Sequence, residues 1–472
     1  MRRAKNLLKL VPIGMVLLLC VSAWAQDNYN FPPVDELPVV EELPDPWLFY
    51  DGSKRAETDE EWERRRAEIK AIIEHYEYGP PFPIDHTTTG KITSTTSKFN
   101  GKATLSDVTL SMGPNHSISS TIKLLAPKNK KGPFAIILYT LYSPRDEDLT
   151  ARFYEDVIDR GFMVASWYVT QFEANGGPPR PGAVRRAYPD IDGCRLRAWS
   201  WGASSIITYL SSLDAVDTNK IIMVGNSRRG KTALLTGAYD DRVDITVPSC
   251  SGAQGFPIFR FQGKGSESLG RISSRFASWS NDRFKKFANK ETLLPFDQHF
   301  VGALVAPRAL LSIEGRGDNW ANQEGAQESM RALQHVYEWF GVKKRVGWHE
   351  HKGGHGFFEG DWYTVMDFAD MVSSFPREFS CFRGRVIDHG HRPWLWLALQ
   401  NGAFSWFTLL KQLGEGHAET WRMRLIKVAA EIVVSTRPVL VPLPGSWPFL
   451  RRCHVVSAAV NETCAHLAPD TS

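Results

Sequence analysis

Ile221-Ile222-Met223-Val224-Gly225-Asn226-Ser227-Arg228-Arg229-Gly230-Lys231 passes from four apolar residues through a small polar turn into a helix-forming stretch. A short apolar run closed by turn formers reads as a buried strand. A serine at the tip of a strand, sharp turn and helix is a nucleophile elbow. The turn lifts the hydroxyl above the sheet, and small residues let strand and helix approach closely. The helix N-terminus beneath it favours a developing oxyanion. The glycine spacing is G-x-S-x-x-G, one residue longer than the common G-x-S-x-G. The alternative is an ordinary turn in which Ser227 caps the helix.

The flanking sequence predicts the matching fold. Residues 134–139 (FAIILY), 162–167 (FMVASW), 245–248 (ITVP) and 309–313 (ALLSI) are further buried-strand runs. Between them lie helical stretches at 152–160, 198–214 (amphipathic) and 231–239. Strands alternating with helices predict a doubly wound, mostly parallel sheet. That is the three-layer α/β-hydrolase sandwich. Upstream, residues 59–79 read as a helix stopped by Gly79-Pro80-Pro81, and 97–125 as antiparallel strands. Residues 27–46, rich in Pro and acids, read as an extended arm.

The 472 residues, 43% of them hydrophobic, hold one large domain or two ordinary ones and are too apolar for a disordered chain. The formal charge of +4 is concentrated at the two ends. Residues 1–25 carry four basic residues and no acid, and residues 377–472 carry eleven basic and seven acidic residues, so the intervening part is acidic overall. A nucleic-acid partner is therefore not expected.

Arg2, Arg3 and Lys5, an apolar run of about a dozen residues broken by Pro12, and Ala23-Trp24-Ala25 form a signal peptide over residues 1–25. The run is too short for a stable membrane span. The protein is expected to be secreted or periplasmic, and a monomer. An uncleaved anchor, or a lipoprotein carrying lipid on Cys20, are the alternatives. The remaining five cysteines lack metal-ligand spacing and define no disulfide scaffold. Residues 26–376 are expected to be the hydrolase domain. Residues 377–472, crowded with Trp and interrupted by Pro, are an unassigned extension; an altered reading frame would explain their change of texture.

A serine hydroxyl needs a base, and the base needs an orienting acid, in chain order Ser, acid, His. After the strand at 309–313 come Glu314-Gly315-Arg316-Gly317-Asp318-Asn319-Trp320, then Gly353-Gly354-His355-Gly356. Asp318 and His355 sit on glycine-rich loops in that order. Glu314 is the alternative acid, and His349 and His351 are alternative bases on a strand edge. His299 reads as structural or substrate-facing. The Arg228 N–H belongs in the oxyanion hole, and its side chain can add a charged donor. Lys231, four residues past Ser227, either stays near the substrate or is a solvated helix lysine. Trp320, Trp279 and Trp167 are candidate sugar-stacking faces or core.

These segments resemble the glucuronoyl esterases, carbohydrate esterase family 15. The similarity is carried by GNSRRGKTALLTGAYDDR, PFDQHFVGALVAPRALL, GDNWAN and GGHGFF with Asp361-Trp362, joined by RAWSWGASSIITYL upstream. It spans roughly residues 46–372. The resemblance implies cleavage of the ester between 4-O-methyl-glucuronic acid of glucuronoxylan and lignin alcohols, without metal or cofactor. It implies Ser227 as nucleophile, His355 as base, Arg228 as oxyanion donor, and Lys231, Glu267 and Trp320 as contacts to the uronate sugar. Many members carry the acid as Glu on the loop after the strand following the elbow helix. Here that position is Cys250, which leaves Asp318. Asn226 replaces the cysteine of fungal members, as in a bacterial-type member. Acetylxylan esterase activity and a non-catalytic carbohydrate-binding role are the competing expectations.

Overall fold

The computed structural model describes residues 29–141, 149, 151–175 and 180–373. The signal at 1–25 and the extension at 377–472 lie outside the described residues. Nine strands are present among them: β1 (Thr89–Lys98), β2 (Ala103–Met112), β3 (Ile118–Pro127), β4 (Phe134–Leu141), β5 (Phe162–Tyr168), β6 (Val216–Asn226), β7 (Ile245–Ser249), β8 (Ala309–Gly315) and β9 (Val346–His351). They form one sheet in the order β1-β2-β3-β5-β4-β6-β7-β8-β9. The first three strands are an antiparallel meander whose last member pairs antiparallel with β5. From β5 to β9 every neighbour is parallel.

Local chemistry explains the change of mode. The meander's links are tight turns: Asn100, at φ 53°, sits between β1 and β2, and Asn115, at φ 54°, between β2 and β3. Asparagine tolerates this left-handed backbone. By contrast, Ile136–Leu138 and Ile221–Val224 are buried as continuous apolar runs, as strands covered on both faces require. The chain goes from β4 to β5 on one side and returns to place β6 on the other. This reversal opens a crevice at the carboxyl ends of β4 and β6, the general ligand position of such sheets.

The helices among the described residues are α1 (Asp59–Ile73), α2 (Phe153–Asp159), α3 (Ala183–Ala187), α4 (Arg195–Ser211), α5 (Arg228–Tyr239), α6 (Leu269–Arg275), α7 (Gln298–Ala303), α8 (Gln323–Trp339) and α9 (Glu359–Ser373). Thr58 accepts the Glu61 N–H to cap α1, and Gly79, at φ 71°, ends the π-helical turn that extends it. Helix α4 departs from the expected amphipathic pattern, because nearly all of its residues are buried. The N-terminal segment covers the face that would otherwise meet solvent. The Cys194 N–H bonds to the Tyr78 carbonyl, Arg197 Nε donates to Gly79 O at 3.0 Å, and Trp201 Nε1 donates to Pro83 O at 2.7 Å. No described helix is long and apolar enough to cross a membrane.

Trp167 is core and not a sugar-stacking face. It is fully buried in β5 and meets Phe172 edge-on at 5.5 Å. Trp167→Ala is expected to lower the unfolding free energy by about 3–5 kcal/mol, the usual range for deleting a buried indole. Denaturant titration measures it, and a loss below about 1 kcal/mol would contradict the placement.

Candidate active site

The turn after β6 is strained. Ser227 sits at φ 61°, ψ −130°, as the residue before α5. A non-glycine residue there costs on the order of 1–3 kcal/mol and persists only where its surroundings enforce it. Two close approaches do so. A Cβ at position 225 would fall 2.1 Å from the Arg229 carbonyl oxygen, and one at 230 would fall 2.8 Å from that of Ser249. Only glycine fits at either place, which accounts for the longer glycine spacing. The Ser227 N–H donates to Ser249 O at 2.8 Å and fastens the turn to the end of β7.

Asp318 and His355 are brought together. His355 Nδ1 lies 2.6 Å from Asp318 Oδ2, and Asp318 Oδ1 accepts the Ala321 N–H at 3.2 Å. Asp318 is buried, whereas the His355 side chain is 42% exposed. Burial opposes the Asp318 charge, but the hydrogen bond and charge of His355 outweigh it and hold the carboxyl below its ordinary value. A carboxylate held down in this way stabilises the fold above its ordinary titration range. That contribution is lost as the pH falls through the lowered value.

Glu314 is placed elsewhere. It is buried at the end of β8 and accepts the Ser312 hydroxyl at 2.9 Å. Burial, reduced by that bond and reinforced by the Asp318 charge, raises its carboxyl well above the usual range. His349 and His351 both turn toward Asp361. His299 is structural: it is buried, bonded to Pro44 O at 2.8 Å, and burial lowers it to about 3.

Ser227, His355, Arg228, Lys231, Glu267 and Trp320 line one cavity of about 310 Å³. Lys231 is not a solvated lysine. It is 4% exposed, and its ammonium donates to Ser251 O at 2.6 Å, to Ala253 O, and to Glu267 Oε2 at 3.2 Å. Burial lowers its pKa, and the Glu267 charge opposes that shift. Three donors meet three acceptors, so Lys231 also pins the strand-to-loop segment after β7. The Glu267 N–H bonds to Trp320 O at 2.9 Å, which makes these two wall residues one unit. Trp320 is 37% exposed, with the Arg271 guanidinium 5.1 Å from its ring centre. Arg228 Nη1 donates to Asn175 Oδ1 at 2.8 Å, and its guanidinium lies over Phe276 and Trp279.

Sequence reasoning missed the wall formed by Arg275 and Phe276 and the role of Asn175. Phe276 and Trp279, three apart, stack at 4.1 Å, and their spacing just past a helix was the one available signal. Cys250, at φ 41°, also lines the cavity. Its thiol faces Gly356 O at 3.8 Å; burial, then the Glu314 and Asp318 charges, raise its pKa, so it stays neutral. Its sulfur, the Asp318 carboxylate and a His355 ring nitrogen lie within 4.8 Å of one another. Two ligands on a tetrahedral zinc stand roughly 3.3 Å apart, from bonds of about 2.0 Å. The 2.6 Å Asp318–His355 contact is thus a hydrogen bond with no gap for an ion.

The family model for glucuronyl esterase of fungi matches residues 110–341. A multidomain esterase of Ruminococcus flavefaciens is 30% identical over 379 residues, 73% of this chain, which spans only 48% of that protein's length. The 4-O-methyl-glucuronoyl methylesterase of Schizophyllum commune is 31% identical over 339 residues, covering 69% of this chain and 79% of its own. Among solved structures, a carbohydrate esterase family 15 glucuronoyl esterase from Caldicellulosiruptor kristjansonii superposes with a TM-score of 0.61 at 27% identity, over 73% of this chain and 93% of that one.

The buried pair sets a stability test. Lys231→Met leaves Glu267 without its buried counter-charge and is expected to destabilise by about 3–5 kcal/mol. Lys231→Met with Glu267→Gln together should cost less than Lys231→Met alone. Equal losses in the two variants, measured by denaturation, would show that the carbonyl contacts of Lys231 carry the effect.

Proposed function

Because this chain belongs to the glucuronoyl esterase family and is a carboxylic ester hydrolase, we propose that it cleaves the ester joining 4-O-methyl-glucuronic acid of glucuronoxylan to lignin alcohols. The observation that carries the reading is the strained Ser227 turn opening into the same cavity as a His355 already bonded to Asp318. Residues 26–376 are the hydrolase unit. The basic start and Ala23-Trp24-Ala25 support export to the periplasm or the medium.

Ser227 Oγ attacks the uronoyl carbonyl as His355 Nε2 takes its proton. Asp318, on the other ring nitrogen, holds the tautomer and stabilises the imidazolium. The oxyanion develops against the N-terminus of α5, at the Arg228 N–H, and the Arg228 guanidinium adds charge. His355 then protonates the leaving alcohol. Water, deprotonated by the same histidine, releases the uronic acid. The esterified carboxyl is neutral, so Lys231 serves no counter-ion role. It fixes Glu267 as an acceptor for sugar hydroxyls, while Trp320 covers a ring face. The chemistry calls for no metal or cofactor.

Hydrolysis of benzyl glucuronate by the purified chain tests this, with acetylated xylan as the control. Ser227→Ala and His355→Ala should each lower the rate by about 10⁴-fold or more. Asp318→Asn should lower it by about 10⁴-fold at most, because the wrong tautomer is favoured but the groups remain. Turnover of acetylated xylan without turnover of the glucuronate ester would move the assignment to acetyl removal. Rates unchanged in Ser227→Ala would end the serine mechanism.

A further inference from the structure

His351 closes β9 four residues before His355, and both of its ring nitrogens face acceptors. Nδ1 lies 3.1 Å from Asp361 Oδ1, and Nε2 lies 3.2 Å from the Gly354 carbonyl oxygen. A neutral imidazole has one N–H and one lone pair. It could serve one acceptor and would turn its lone pair on the other. An imidazolium serves both. The ring is fixed in this bridge. Phe358 packs edge-on at 4.9 Å, and β8 backs it so closely that a Cβ on Gly315 would lie 2.9 Å from Nε2.

Asp361 is fully buried in the first turn of α9, where its Oδ2 accepts the Phe358 N–H at 2.7 Å. Its Oδ1 is shared by His351 and by His349 Nε2, the latter at 3.5 Å. Titratable groups on the surrounding elements include Glu314 at the end of β8, Asp318 after it, Glu350 on β9, Lys352 just past it, Cys250 past β7, Glu359 and Tyr363 on α9, and His355. Arg316, whose N–H bonds the His351 carbonyl, spends its side chain on Glu350.

We propose that His351 is a positioning residue for His355: as an imidazolium it ties Asp361 to the Gly354 carbonyl and so fixes the backbone from which His355 reaches Asp318. The inference rests on the reading of His355 as the base. Elsewhere the loop is held by the Gly317 N–H on the Gly353 carbonyl at 2.8 Å, which leaves Gly354 and His355 to the His351 bridge. Residues 352–355 are exposed, Gly353 stands at φ 141°, and the Cys250 thiol on Gly356 is a weak donor. Loss of the His351 proton removes the donor to Gly354. Turnover then falls as the pH rises, while substrate binding, which depends on other walls of the cavity, is unchanged.

Nitrogen-15 NMR of the full chain reads the protonation directly, with His351→Gln identifying the signal. Both His351 ring nitrogens should carry protons near neutral pH; a neutral tautomer there overturns the proposal. Kinetics give the second reading. His351→Leu should lower kcat about 10- to 100-fold, as small misplacements of catalytic groups do, with KM within about twofold. His351→Gln, which offers an N–H without charge, should recover part of kcat and lose the alkaline decline. A Gln variant with wild-type kcat and wild-type pH profile would also overturn it. The NMR experiment needs no substrate, so it stands or falls separately from the ester assignment.

Discussion

The site depends on a backbone conformation that its central residue disfavours. Ser227 is held at a positive φ because α5 approaches β6 and β7 so closely that only glycine fits at 225 and 230. The approach is maintained from outside the turn. β6 is buried between β4 and β7, and α5 is buried along most of its length against α4 and the sheet. The strain in one residue is thus offset by the packing of five elements, β4, β6, β7, α4 and α5. It aims the hydroxyl into the crevice and leaves the first N–H groups of α5 beneath it.

A second device ties the loops to this fixed point. Lys231, one turn into α5, reaches the segment after β7 through two carbonyls and the far wall through Glu267. Glu267 in turn is bonded through its backbone to Trp320, next to the Asp318 turn. A buried ion pair is weak evidence of net stability, because desolvation offsets its attraction. Here it defines a geometry: two loops distant in sequence keep one spacing across the cavity.

Much of this was legible in the sequence where one element carries the signal. Ile221–Val224 is apolar, continuous and followed by small residues, so strand, turn and helix could be read in order. Asp318 and His355 stood out because glycines flank them after strand-like runs. Features made by distant segments were not legible. The stretch 198–214 looked amphipathic because polar Ser200, Ser204 and Ser205 interrupt it, yet all three are buried, Ser200 against Thr236 of α5. Trp167 and Trp320 are the same residue type near strand ends, and only packing against Phe172 separates core from cavity wall. Lys231 carries no local mark of burial, because its acceptors come from residues 251, 253 and 267.

The same local crowding explains Cys250. Its thiol lies within reach of Asp318 and His355, with Glu314 buried behind. A carboxylate there would face the ionised Asp318 at short range in a poorly solvated place. A neutral thiol avoids that repulsion. It leaves Asp318 as the ionised partner of His355 and still offers a weak donor to the loop at Gly356. With Asp318 on the loop after β8, His355 is oriented from the strand that pairs with its own, β9. The acid and histidine loops are therefore carried by one strand pair. Asp361 and His351 hold the far end of the His355 loop, so its geometry is set by β8, β9 and the start of α9 together.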